Sequence, residues 1–281
     1  MDFPSFADRD LIALGALCYA LGFVHGTISL IRRRRHSRWL MFAAMCAGFA
    51  FQTWGLLMRG METKGCPLGN TFELIQFTVW SLILVYLVVG PAFRLSLLGF
   101  FSGALAAALS IASFIPAGWD SDIRTRIFGD NAWIEFHAAL ALFSYGVFGL
   151  LALTSVMYLL QNHYLKQKRR PAMFGYLPSI VQLDTTNVRL LLTGVAILTT
   201  SLLVGGHYFR QDPERVNVLK LGVTVSVWAA YLGVLVLRWR AKLITKRFAW
   251  VCVIMFILAL ASLGPVNRSR PHELPPAPIT R

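Results

Sequence analysis

Eight apolar stretches, each about 20 residues or longer and so matched to the hydrocarbon thickness of a bilayer, constrain this chain more than any other feature. They run over roughly 11–31, 39–58, 71–90, 95–115, 133–161, 188–208, 217–237 and 248–266, with short polar segments between them. If all eight cross, the charges sort by side. One side collects Arg32–Arg35, Arg38, Arg94, Lys166, Lys168, Arg169, Arg170, Arg189, Arg238, Arg240, Lys242, Lys246 and Arg247: sixteen cations against the single acid Asp184. The other side holds eleven cations and twelve acids. The net charge of +14 therefore follows the positive-inside pattern, and no nucleic-acid footprint is called for. The expected fold is an all-α polytopic transmembrane helix bundle of about eight spans with both termini outside.

At 56% hydrophobic and 14% charged, the 281 residues carry too little polar surface for a soluble protein of this size. A single transmembrane domain over 1–281 is expected, with a proline-rich, mobile outside tail from about 268 to 281. The first stretch has an acidic flank (Asp2, Asp8, Asp10) and no small-residue cleavage site, and it reads as a retained span. Of four cysteines only Cys66 falls in an outside loop. No CxxC pair is present, so neither a dithiol oxidoreductase nor a zinc ribbon is indicated, and without a CxxCH the chain is not itself a c-type cytochrome.

Three of the six histidines, His137, His207 and His272, fall near the outer surface. Imidazole is a common axial ligand of haem iron and needs an apolar cleft beside it. His137 starts a helix next to Trp133 and Phe136, His207 closes the sixth span, and His272 follows the last. His36 and His163 lie in basic inside loops and are expected to be solvated. His25 alone lies at membrane depth, where an ionisable group is costly, although one bond to a backbone carbonyl satisfies a neutral ring.

The segment Asn70-Thr71-Phe72-Glu73 at the outer start of the third span has capping-box spacing, which by itself explains both polar residues. Asn70, Glu73, Phe77 and Trp80 also recur at helical spacing, polar above and aromatic below, a face suited to a site at the membrane's outer edge. Loss of Glu73 is therefore expected to cost function more than stability. A third outer segment, Arg210 to Arg215, alternates in charge and fits a solvated turn as well as a binding loop.

These residues in order resemble a known family. Arg59, Cys66-Pro67-Leu68-Gly69-Asn70-Thr71-Phe72-Glu73 and Trp80 resemble the R…P-x-x-N-x-[YF]-E…W stretch of cytochrome c assembly proteins, the CcsA/ResC-type haem-handling proteins and especially their short, eight-span HemX-like relatives. Trp133-Ile134-Glu135-Phe136-His137 with Phe143-Ser144-Tyr145-Gly146, then Asp212-Pro213-Glu214, then Leu263-Gly264-Pro265-Val266-Asn267 continue the resemblance over about 40–272. It implies two outside histidines, here His137 and His272, as axial ligands of haem b presented for attachment to apocytochrome c, with His207 in reserve. Asp212, Glu73, Asn70, Trp80 and Arg59 would shape the pocket, and Arg59, Arg210 or Arg215 would meet haem propionates. The chain departs from the pattern in two places. The loop at Phe209–Pro213 lacks the family's tryptophans, and Gln52 and Val234–Leu237 stand where larger members carry inner histidines.

The leading expectation is a component of cytochrome c maturation in the bacterial inner membrane, working with a second assembly membrane protein and apocytochrome c. It has no self-sufficient catalytic set. The alternatives are a b-type haem membrane-anchor subunit of a respiratory complex, in which haem would track His25, and a haem-free regulatory or structural relative.

Overall fold

The computed structural model describes residues 7–32, 38–92, 97–120, 132–167, 178–210 and 218–268. Their secondary structure is eight α-helices: α1 Asp8–Ile31, α2 Arg38–Thr63, α3 Thr71–Ala92, α4 Leu98–Phe114, α5 Ala132–Lys166, α6 Ile180–Phe209, α7 Val218–Trp239 and α8 Thr245–Arg268. One 3-10 turn, Ala117–Trp119, follows α4, and no strand occurs among the described residues. Seven of the helices are long and apolar enough to cross a membrane. The 17-residue α4 is shorter, about 25 Å at 1.5 Å per residue. On α1, Leu17, Leu21, Val24, Ile28 and Ile31 form an exposed apolar stripe at helical spacing. A stripe like this belongs against lipid, not water, and the chain is a multi-pass membrane protein.

Helix ends follow local chemistry. α2 runs on to Thr63, past the expected end at 58, because Arg59 is buried and paired. Lys64 then takes the left-handed conformation (φ 54°), and the Gly65 N–H donates to the Gly60 carbonyl at 3.1 Å, a Schellman closure. α6 begins at Ile180 although the sequence pattern placed 162–187 in a loop. The Ser179 hydroxyl caps it by accepting the Gln182 N–H at 3.2 Å, and Asp184 is held by Arg238 at 2.6 Å. A polar first turn and a half thus stay helical because their side chains have partners.

The helices alternate in direction. Asp8 at the start of α1, Arg59 late in α2, Glu73 at the start of α3 and Asp120 after α4 meet at one end of the bundle. His137 at the start of α5 meets Ser201 late in α6 at that same end, where Glu135 also lies against Gly65. Arg238 and Asp184 close the opposite end, which also carries Arg32, Lys166, Arg240, Lys242, Lys246 and Arg247. These are called here the site end and the basic end. The described chain begins and finishes at the site end.

α5 is the axis of the second half, packed against α3, α6 and α8. From Ser144 to Ser155 every residue is buried, as expected of a helix apolar on all sides. A Cβ on its Gly146 would stand 2.6 Å from the Leu82 backbone nitrogen, so only glycine lets α3 and α5 approach this closely. Phe148 stacks in parallel on Tyr231 of α7 at 3.6 Å.

Candidate functional site

Two polar assemblies occupy the site end. The first is centred on Arg59, whose side chain is only 2% exposed. Its Nε donates to Asp8 Oδ2 at 2.5 Å, and its Nη1 and Nη2 form a fork onto Asp120 at 2.6 and 3.2 Å. Nη1 is also 3.5 Å from the fully buried Glu73, and the guanidinium carbon lies 4.9 Å from the Phe72 ring centre. Arg9 adds a second cation 3.5 Å from Asp120. A guanidinium suits this place because its planar fork satisfies two carboxylates at once.

Asn70 and Glu73 are reciprocally bonded, as their spacing predicts. The Glu73 N–H donates to Asn70 Oδ1 at 2.8 Å, and Asn70 Nδ2 donates to Glu73 Oε1 at 3.3 Å. The Glu73 carboxylate also takes the Gly69 N–H, and Asn70 Nδ2 lies 3.3 Å from Asp120. The cap is therefore welded to the ion cluster, and it fixes the 64–70 loop. Within that loop, burial first, and then the charges of Glu135 and Glu73, push the Cys66 thiol up to about 12. A thiol shifted this way keeps its proton at physiological pH, which lowers its reactivity.

Trp80 is not part of this cluster. It lies deeper, donating from Nε1 to Thr53 Oγ1 at 2.8 Å and stacking on Phe49 at 5.5 Å. Between the two levels, Gln52 closes a buried network. It accepts from the Tyr19 hydroxyl at 2.9 Å and donates to Gln76 Oε1 at 2.7 Å, while Gln76 donates to Ser113 at 2.9 Å. Position 52 is thus filled by a satisfied amide that ties α1 to α4.

The second assembly is His137. Its Nδ1 lies 2.6 Å from the Ser201 carbonyl oxygen and 2.9 Å from Ser201 Oγ. The Ser201 hydroxyl donates to the His137 carbonyl at 2.8 Å. A carbonyl only accepts, so Nδ1 carries the proton and the lone pair rests on Nε2. Nε2 meets no hydrogen-bond partner among the described residues. The ring lies against Gly205, where a Cβ would stand 2.6 Å from its Cε1, and meets Phe209 edge-on at 5.8 Å. Trp133 stacks on Tyr208 at 6.3 Å and meets Phe136 edge-on at the same distance, so the exposed surface beside the imidazole is aromatic. This is the tautomer and support that metal-ligating histidines use.

The structure therefore brings Arg59, Asn70 and Glu73 together in one cluster, with Asp8 and Asp120, which sequence reasoning missed. His137 stands apart, on α5 against α6, and Glu135, two residues before it, lies against Gly65 of the 64–70 loop. Arg59 faces acids of its own chain and not open solvent. His207 is exposed at the end of α6, its ring edge-on to Tyr208 at 5.3 Å. Asp212, Arg215, His272, His36 and the proline-rich tail lie outside the described residues. Among the described residues no group of three or more His, Cys, Asp or Glu could hold a metal ion.

The chain is 27% identical to Protein HemX of Brevibacillus brevis over 197 residues, 70% of this chain and 72% of that one. It is 23% identical to Protein HemX of Bacillus subtilis over 259 residues, 89% of this chain and 92% of that one. With the cytochrome c biogenesis protein CcsA of Cyanidium caldarium it shares 25% identity over 215 residues, 64% of this chain and 71% of that one. Residues 68–265, which hold the Asn70–Glu73 cap, His137 and Ser201, match the family described as cytochrome C assembly protein, and the chain belongs to that family.

Proposed function

We propose that this chain is a membrane component of cytochrome c maturation that holds haem b at the site end, on the outer face of a bacterial inner membrane, for attachment to apocytochrome c. The observation that carries the proposal is the His137–Ser201 bond, which commits Nδ1 and leaves the Nε2 lone pair for iron. The donor set fits haem: a neutral imidazole on a rigid helix, next to Trp133, Phe136 and Tyr208, which suit an apolar macrocycle. His272 is the proposed second ligand, with His207 in reserve. Haem, when bound, supplies the porphyrin that apocytochrome c receives.

The chain's own residues do the positioning. Ser201 fixes the imidazole tautomer, and Gly205 gives the ring room. The Arg59 cluster is the structural clamp that holds the ends of α1 to α4 around it, and Asn70 and Glu73 belong to that clamp. Trp80 supports the face from below. No thiol pair or acid–base set serves the ligation itself, so that step is assigned to a second assembly membrane protein. The relative named as a cytochrome c biogenesis protein supports the maturation role.

The visible spectrum of the purified protein tests the proposal. A Soret band that tracks His137 supports it. A band that tracks His25 supports a b-type anchor subunit instead, and no band in any preparation supports a haem-free relative.

A further inference from the structure

Buried polar atoms without a partner collect along one seam of the second half-bundle. Tyr231 Oη, both amide atoms of Asn187, Asp184 Oδ1 and Gln161 Oε1 are buried with no hydrogen-bond partner among the described residues, and Ser155 Oγ has only the Cys252 thiol beside it. Ser155 and Tyr231 are 0% exposed and Asn187 is 1% exposed. Such atoms are rare in folded proteins, because burying a donor or acceptor without a partner costs stability. Five of them on three adjoining helices require a common explanation.

The helical register aligns them. Phe148 of α5 packs against Gly194 of α6 and stacks on Tyr231 of α7. Moving seven residues toward the basic end on each antiparallel helix sets Ser155 opposite Asn187. Toward the basic end, Asp184 follows one turn from Asn187 on α6, and Gln161 lies six residues beyond Ser155 on α5, about a third of the way round the helix from it. Arg238 closes the row by donating to Asp184 Oδ2 at 2.6 Å, which leaves Oδ1 over. Asn187 lies about 10 Å from the start of α6, and Tyr231 about 12 Å from the end of α7, at 1.5 Å per residue.

We infer that ordered water enters this seam from the basic end and reaches Tyr231, making a half-channel closed by the Phe148–Tyr231 stack. The mixture of groups selects the occupant. Asn187 Nδ2 and the Arg238 guanidinium oppose a bare cation, and Asp184 opposes an anion. Water both donates and accepts, and it satisfies hydroxyl, amide and carboxylate atoms alike. The half-channel approaches the middle of α5, the helix whose other end carries His137.

Thiol accessibility tests this in the full chain with its four native cysteines replaced by alanine. Ser155→Cys and Asn187→Cys should react with a small hydrophilic methanethiosulfonate at least tenfold faster than Leu198→Cys, which is equally buried but lies beyond the stack. Equal rates at all three positions would overturn the inference. The melting temperature of Asn187→Leu gives a second reading that needs no thiol. In a dry seam that variant removes two orphaned atoms and melts higher, which would also overturn the inference. With water present it melts at the same temperature or lower.

Discussion

The Nδ1 of His137 and the carbonyl oxygen of Ser201 stand 2.6 Å apart, joining the second turn of α5 to the third turn from the end of α6. The bond sets which ring nitrogen is free, and the neighbouring Gly205 sets where the ring lies. Gly205→Ala would place a methyl group against Cε1 and displace the imidazole. The expected outcome is a several-fold lower Soret-to-protein ratio with protein yield unchanged, whereas Gly206→Ala, with open space around its Cα, should leave the ratio at the parent level.

Arg59 is expected to matter for stability first. Arg59→Leu leaves Asp8, Asp120 and Glu73 beside one another with only the half-exposed Arg9, 3.5 Å from Asp120, to offset them. Removing one partner of a buried ion pair typically costs about 3–5 kcal/mol. Thermal unfolding in detergent should show a large drop, with Arg59→Lys between the two because an ammonium is a point charge and cannot reproduce the fork onto Asp120. Glu73→Ala should likewise exceed the ~1 kcal/mol of a lost cap, since Glu73 is 0% exposed and bonded to Gly69 and Asn70. This reverses the sequence-based expectation that Glu73 matters for function more than stability.

Cys66 gives a pH dependence with a definite sign. Burial and two nearby acids raise its thiol from 9.0 to about 12 in the folded protein. A raised folded value means the native state keeps its proton after the unfolded chain has lost its own, so stability falls as pH rises from about 9 to 12. Cys66→Ser, which does not titrate in that range, should flatten this part of the stability profile. Native Cys66 should also resist maleimide at pH 7 and react quickly in denaturant.

The alternation of helices and the cationic basic end predict sidedness. A reporter fused at residue 36 should be active only in the cytoplasm, and one fused after residue 281 only outside. A cytoplasmic C-terminal reporter would contradict the eight-crossing arrangement.

Much of the fold was legible because a membrane demands long apolar runs. The pattern located eight helices to within a few residues except where polar groups had found partners. α6 starts eight residues earlier than expected because Ser179 caps it and Arg238 neutralises Asp184, and neither bond has a local signature. The Asn70–Glu73 pair was legible from its three-residue spacing. The acids of Arg59 were not: Asp8 and Asp120 are 51 and 61 residues away, and nothing in the sequence marks them as its partners. Trp80 shares a helical face with Glu73, yet two turns of depth assign it to Thr53. Ser201 and Gly205 carried one faint signal, small residues four apart on the face of α6 that turns toward α5.

The central claim is that His137 offers Nε2 to haem iron. The most direct measurement is the Soret absorbance per mole of protein for the parent and for His137→Ala, purified side by side, without and with added imidazole. The account predicts that His137→Ala loses the band, that imidazole restores part of it by filling the vacated position, and that His163→Ala keeps it. A His137→Ala protein that copurifies with as much haem as the parent would contradict the claim and make His207 the next residue to test.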